Sequence, residues 1–222
     1  MLTIIIPCLN EEKKIDKIKK NLKLLKNSKS IIVDGNSLDN SKDLYIKHKL
    51  HYIITKASRG AQLLLGAKSS KTKWLLFIHA DTRLNKLNVS EIESFLSRNK
   101  NDHVAYFKLR YNEKDLLAKL IAFWANLRTL LFKLPFGDQG LLITRNYYFS
   151  IGGHSNTKIM EDIEFILKIP KKNRTFFKSK ISSSFRNYKR NGVLKQGFIH
   201  ILCQLMYFLK FNKKIIYKIY KI

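Results

Sequence analysis

The apolar residues of this chain fall into short unbroken runs separated by stretches with helical spacing. Trp74-Leu75-Leu76-Phe77-Ile78 is all large and apolar, and it halts against His79-Ala80-Asp81-Thr82. A run of that kind, between a lysine-rich stretch and a polar turn, suits a strand buried on both faces. Leu2 to Pro7, Ser30 to Val33 and Tyr52 to Thr55 read as further strands. The first is closed by a proline, and the second runs into the turn-forming Asp34-Gly35-Asn36-Ser37. Lys13 to Lys26 places Ile15, Ile18, Leu22 and Leu25 on one helical face. Asp39 to His48 reads as helix, and Ser58 is positioned to cap another through Ala61, Leu64, Leu65 and Ala67. The alternation predicts an α/β fold: an open, mostly parallel, nucleotide-binding-like sheet flanked by helices with right-handed crossovers.

The second half is less regular. Val89 to Arg98 is expected as a surface helix, Val104 to Tyr111 as an outer strand, and Leu116 to Phe132 as a long apolar helix stopped by Pro135. A Gly137-Asp138-Gln139-Gly140 loop precedes a strand from Leu141 to Thr144. Gly152-Gly153-His154 breaks the chain again, and Met160-Glu161-Asp162 opens another helix. Phe198 to Ile222 alternates apolar patches with lysines. It either packs on the rest of the chain or lies on anionic lipid.

Composition narrows the function classes. An apolar share of 45% in 222 residues supports one sizeable core and argues against disorder. Cys8 and Cys203 lie far apart, which excludes a disulfide scaffold or cysteine-rich zinc site and fits a reducing compartment. The chain is therefore expected in the cytoplasm, with the inner face of the membrane as a peripheral location. The start of the chain carries no leader-like pattern, and no apolar stretch is long enough to span a bilayer. The charge is extreme: 43 Lys and Arg against 16 Asp and Glu, formally +27. That balance favours anionic partners such as phosphorylated substrates or lipid surfaces, or else reflects a compositional bias spread over the chain. No base-stacking motif accompanies it, so nucleic acid is not expected as a partner.

Three polar clusters follow three strands: Pro7 with Asn10 and Glu11, Asp34 with Asp39, and His79 with Asp81. In open α/β sheets such strand ends share one edge, where ligands gather. Together with Gly-Asp-Gln-Gly at 137–140 and Met-Glu-Asp at 160–162, this order resembles the family 2 glycosyltransferases of the GT-A fold. It is most similar to a bacterial branch carrying His-Ala-Asp-Thr. The resemblance covers about residues 2 to 165.

That resemblance implies an inverting transfer of a sugar from a nucleotide-diphosphate donor to a hydroxyl acceptor, with a lipid-linked acceptor among the options. It implies a catalytic domain over 1–170 and a basic segment over 171–222. By the same analogy Asp34 bonds the nucleobase, Asn10, Glu11 and Asp39 lie near base and ribose, and Asp81 holds Mn2+ or Mg2+ on the diphosphate. Glu161 and Asp162 match the pair whose Asp is general base. Asp138 and Gln139 are expected on the donor sugar or acceptor, Arg59 on the diphosphate, and Arg186, Lys189 and Arg190 as a clamp or a solvated face.

Read without the analogy, Asn10 with Glu11 is a helix start, and so is Glu161 with Asp162. His79 stands where the family's signature has its first Asp, which by the analogy makes it a ribose contact or a Mn2+ ligand; without the analogy it reads as a core histidine. Two other classes compete: a sugar nucleotidyltransferase, and a non-catalytic basic module binding lipid or nucleic acid. The first lacks its Gly-rich phosphate loop after strand one, where this chain has Glu11 and Glu12.

Overall fold

The computed structural model describes residues 1–98, 100–157 and 159–221, with Asn187 described by its backbone alone. Ile222, the last residue of the expected basic segment, lies outside them.

The strands are β1 (Leu2–Cys8), β2 (Lys29–Asp34), β3 (Tyr52–Ile54), β4 (Trp74–Phe77), β5 (Val104–Tyr111), β6 (Leu141–Thr144) and β7 (Arg174–Ser183). The helices are α1 (Ile15–Leu24), α2 (Ser41–Lys47), α3 (Arg59–Ser69), α4 (Lys86–Ser97), α5 (Leu116–Phe132), α6 (Arg145–Ser150), α7 (Glu161–Leu167), α8 (Arg186–Asn191), α9 (Val193–Phe208) and α10 (Lys213–Tyr220). One seven-stranded sheet runs in the order β3-β2-β1-β4-β6-β5-β7. It is parallel except for β6, which is antiparallel to β4 and β5.

Unbroken apolar strands require cover on both faces. Ile4, Ile6, Leu76 and Phe107 pack under α1 and α4 on one face. Ile5, Val33, Leu75 and Phe77 pack under α3, α6 and α7 on the other. The alternation of Ile4, Ile5 and Ile6 between the two layers is the period-two geometry of a strand. Gly66 lets α3 approach the sheet, since a Cβ there would stand 2.4 Å from Ile5 Cγ2.

Several expectations are corrected. Pro7 does not end β1, which continues to Cys8 and pairs Pro7 with Val33 and Cys8 with Asp34. Ile5 O accepts from Ile78 N, so Pro7, two residues on, faces the same side but beyond the last residue of β4. No ladder bond is lost to its missing N–H there. β5 is not an outer strand, because β7 lies outside it. The boundary expected after residue 170 therefore cuts the sheet, since β7 (Arg174–Ser183) belongs to it. Ser58 precedes α3 without capping it; its hydroxyl donates to Asn156 Oδ1 at 2.9 Å.

The basic segment beyond β7 packs on the sheet domain along one face. Ile199, Cys203, Met206 and Ile216 of α9 and α10 bury against Ile159, Met160 and Ile163. Among the described residues, no helix is long and apolar enough to cross a membrane.

Candidate active site

β1, β2 and β4 end side by side, and the loops after β1 and β2 are bonded into one rim. Asn10, in the left-handed region at φ 54°, donates its N–H to Ser37 Oγ at 2.9 Å and accepts from Leu38 N at 2.8 Å. Asp39 accepts from Glu12 N at 3.0 Å and from Ser41 N at 3.0 Å. Glu11 donates its N–H to Ser41 Oγ, and its carboxylate lies 3.9 Å from Arg186 of α8. Burial raises the Glu11 carboxyl, with Arg186 opposing.

Asp34 is fully enclosed. Its carboxylate accepts from Ser37 N, Ser37 Oγ and Tyr45 OH at 2.6, 2.7 and 3.0 Å. The expected bond from Asp34 to a nucleobase is thus not available in this arrangement, because the carboxylate is committed to organising its own loop. Gln139 is corrected in the same way. It is wholly buried, accepts from Thr129 Oγ1 and Phe136 N, and donates to Phe107 O at 3.0 Å. It shapes the 137–140 loop and does not face a sugar.

The reactive side chains converge across the other loops. Asp162, in the first turn of α7, accepts from Gly137 N and Ile163 N, each at 2.8 Å. Arg59, first residue of α3, lies 3.1 Å from Glu161 through Nε and 3.3 Å from His79 Nδ1 through Nη2. Glu161 is only 3% exposed, and burial raises its carboxyl against the opposing charge of Arg59. Burial also holds His79 well below the ordinary histidine range, reinforced by Arg59. A guanidinium only donates, so His79 Nδ1 is the acceptor and neutral His79 carries its proton on Nε2. Nε2–H then lies beside Gly137 as a donor, since a Cβ on that glycine would stand 3.1 Å from it.

Asp138 Oδ1 is buried and has no hydrogen-bond partner among the described residues. Burial pushes its carboxyl up to about 6, with Arg128 opposing. The charges of Asp162 and Asp81 act in the same direction as burial on this carboxyl. Behind this cluster a cavity of about 30 Å³ lies among Leu63, Phe77, Phe165 and the Arg59–Glu161 pair, room for a water and not for a sugar.

Asp81 sits just past β4 and is held from β7: its Oδ2 accepts from Ser184 N at 3.0 Å and from Ser183 Oγ at 3.2 Å. These serines were not singled out from sequence. The signal was the β-prone Thr175-Phe176-Phe177 and Ile181, diluted by lysines. Among the described residues no cluster of three or more side chains could hold a metal ion by itself. That donor set fits a hard divalent cation held by the one carboxylate of Asp81, with substrate oxygens and water completing its shell.

A family model described as Glycosyl transferase family 2 matches residues 3–157. The chain belongs to that family. It is a glycosyltransferase. The match ends before Glu161 and Asp162, so their roles rest on geometry and analogy. No curated protein sequence matches the chain. Solved structures share the fold at low identity. Glucosyl-3-phosphoglycerate synthase from Mycobacterium tuberculosis, in complex with Mn2+, UDP-glucose and phosphoglyceric acid, aligns at TM-score 0.67 and 14% identity. That alignment covers 93% of this chain and 78% of the other. The same enzyme with Mg2+ and UDP aligns at TM-score 0.60 and 14% identity, covering 82% and 70%. S. aureus TarS with UDP-GlcNAc aligns at 0.64 and 15% identity; the match covers 82% of this chain but only 58% of the TarS chain.

Proposed function

We propose that this glycosyltransferase moves a sugar from a nucleotide-diphosphate donor to a hydroxyl acceptor with inversion, using Asp162 as general base. The supporting observation is the hydrogen bond from Gly137 N to Asp162 of α7, with the Arg59–His79 pair on the other side of Gly137. The acceptor oxygen attacks the anomeric carbon as the bond from that carbon to the diphosphate oxygen breaks. Asp162 receives the acceptor's proton, and the nucleoside diphosphate leaves with the electron pair. Two backbone N–H groups orient the Asp162 carboxylate and leave lone pairs for the hydroxyl. The guanidinium of Arg59 and Nε2–H of His79 are placed to meet developing negative charge on the leaving group.

Asp81 would hold Mn2+ or Mg2+, which when bound neutralises diphosphate charge. The solved structures above that hold Mn2+ or Mg2+ with UDP or UDP-glucose support this reading. Asn10, Glu11 and Asp39 border the rim where base and ribose would lie, and Pro7 lies at the base of that rim. Asp138 fits the donor sugar or acceptor. Arg186 of α8, near Glu11, suits a clamp at the rim, while Lys189 pairs with Glu113 at 2.9 Å.

The test is thermal stabilisation by UDP and GDP, with and without Mn2+, on wild type and Asp81→Asn. A ligand at about a hundred times its dissociation constant adds about 2.7 kcal/mol. Metal-dependent stabilisation by one nucleotide, lost in Asp81→Asn, is expected. The absence of any nucleotide effect would sink the reading.

A further inference from the structure

The surface around α5 is built unlike a solvated helix face. α5 turns Ala118, Ala122, Ala125, Arg128 and Thr129 inward. Outward it shows Leu116, Leu120, Phe123, Trp124, Leu130 and Leu131, each between 48% and 73% exposed. Single exposed apolar side chains need no explanation, but a stripe at helical spacing along four turns does. The helix contains no carboxylate; its charges are Lys119 and Arg128.

A cleft of about 400 Å³ runs beside this stripe, between α5 and the upper parts of β5 and β7. Its wall is Leu109, Ala118, Ala122, Phe123, Leu127 and Leu130, and its cations are Lys108, Arg110, Lys119 and Lys180. Lys108 lies directly across the ladder from Lys180, with Arg110 two residues further along the same face. Like charges opposed across a ladder repel, and an anion between them would remove the cost. The one carboxylate on the lining, Glu113, is bonded to Lys189. A water-soluble anion would satisfy the cations and leave the stripe wet. An acidic protein surface with no apolar face of its own would likewise leave the stripe unburied. A molecule with an anionic head and an apolar chain answers both.

We propose that this cleft seats the phosphate headgroup of an anionic lipid, with the outer stripe of α5 entering the bilayer interface beside it. Basic residues near an anionic surface and an apolar helical face add their contributions in such docking. Arg128 lies on the inward side of the same helix, with its guanidinium 3.4 Å from the centre of the Phe136 ring. α5 therefore separates the lipid cleft from the loop that carries Asp138. The inference stands apart from the transfer reaction and is read without donor or acceptor.

The protein carries a built-in probe. Of its two tryptophans, Trp74 is buried at 3% exposure and Trp124 stands on the stripe at 48%. Full-length protein is titrated with vesicles of phosphatidylcholine alone and of phosphatidylcholine with phosphatidylglycerol, following Trp124 emission and co-sedimentation. A blue shift and binding with the anionic vesicles are expected, weakened by salt. Lys108→Gln, Arg110→Gln and Lys180→Gln together are expected to weaken binding at least about tenfold, and Leu120→Ser with Phe123→Ser likewise. A control removing Lys20, Lys23 and Lys26 from exposed positions on and beside α1 is expected to bind nearly as wild type. Equal loss in that control would assign binding to diffuse charge and overturn the proposal. An unshifted Trp124 would overturn it too. So would a vesicle-independent dimer that the stripe variants dissolve. Saturable binding of glycerol phosphate without vesicle binding would assign the cleft to a free phosphate instead. Nucleotide stabilisation, measured in parallel, reports the donor site separately.

Discussion

The N–H of Gly137 donates to Asp162 Oδ2 at 2.8 Å, joining the loop before β6 to the first turn of α7. A Cβ at Gly137 would stand 3.0 Å from Arg59 Nη2, 3.1 Å from His79 Nε2 and 3.4 Å from Asp162 Oδ2. Glycine is needed here for closeness, since one methyl would press on three polar groups of the site together. Gly137→Ala is expected to lower kcat about a hundredfold, because small displacements of reacting groups are costly. Melting should move only slightly. A variant with near wild-type kcat would remove Asp162, Arg59 and His79 from the reacting surface.

Arg59 and Glu161 form a pair whose carboxylate is buried, so removing the guanidinium strands a charge. Arg59→Met is expected to cost about 3 kcal/mol in denaturant unfolding. Adding Glu161→Gln should recover much of that stability without restoring activity. The pH dependence has a definite sign. Burial already raises Glu161 above its ordinary 4.5, and loss of Arg59 raises it further. A carboxyl raised on folding binds more protons folded than unfolded, so its contribution is full below 4.5 and falls as pH rises through the raised value. The Arg59→Met defect should therefore be larger at pH 8 than at pH 5.

Asp138 gives a second pH signature. Its carboxyl rises from 3.8 to about 6 on burial, so wild-type stability should fall as pH rises through that window. The size is on the order of 2–3 kcal/mol. Asp138→Asn should flatten the slope, which urea midpoints at successive pH values would show. An unchanged slope would mean that the open Oδ1 is solvated in solution.

Tyr45 supplies one of the three bonds to the enclosed Asp34 carboxylate. Tyr45→Phe keeps the ring and removes the donor, and is expected to cost about 1.5–3 kcal/mol, the range for bonds to charged groups. Chemical denaturation checks the cost. Nucleotide-induced stabilisation of the same variant checks whether the loop's order matters for the donor.

Much of the fold was legible because apolar runs and helical spacing are local signals. Leu116–Phe132 and Leu141–Thr144 have the limits read from the sequence. The first seven β and α elements, β1 to β4 with α1 to α3, followed from the alternation of apolar runs and helical spacing. β7 was missed because Arg174–Ser183 carries three basic residues and becomes an edge strand only by pairing with β5. Edge strands tolerate such residues, so composition there resembles a loop.

The site divides along the same line. Residue identity and order placed Asp81 after a strand end, Asp138 in the loop before β6 and Asp162 at a helix start, and motif order pointed to the family. Sequence could not tell which polar residues face the cleft. Asp34 and Gln139 carry the chemistry of ligand contacts, yet their neighbours Tyr45, Ser37, Thr129 and Phe107 claim their hydrogen bonds inside the protein. His79 became a donor because Arg59, twenty residues earlier in the chain, occupies its other nitrogen. Local pattern determined which elements form and what chemistry each loop brings. Tertiary structure decided which of those groups remain free to act, because burial and hydrogen-bond partners come from segments distant in sequence.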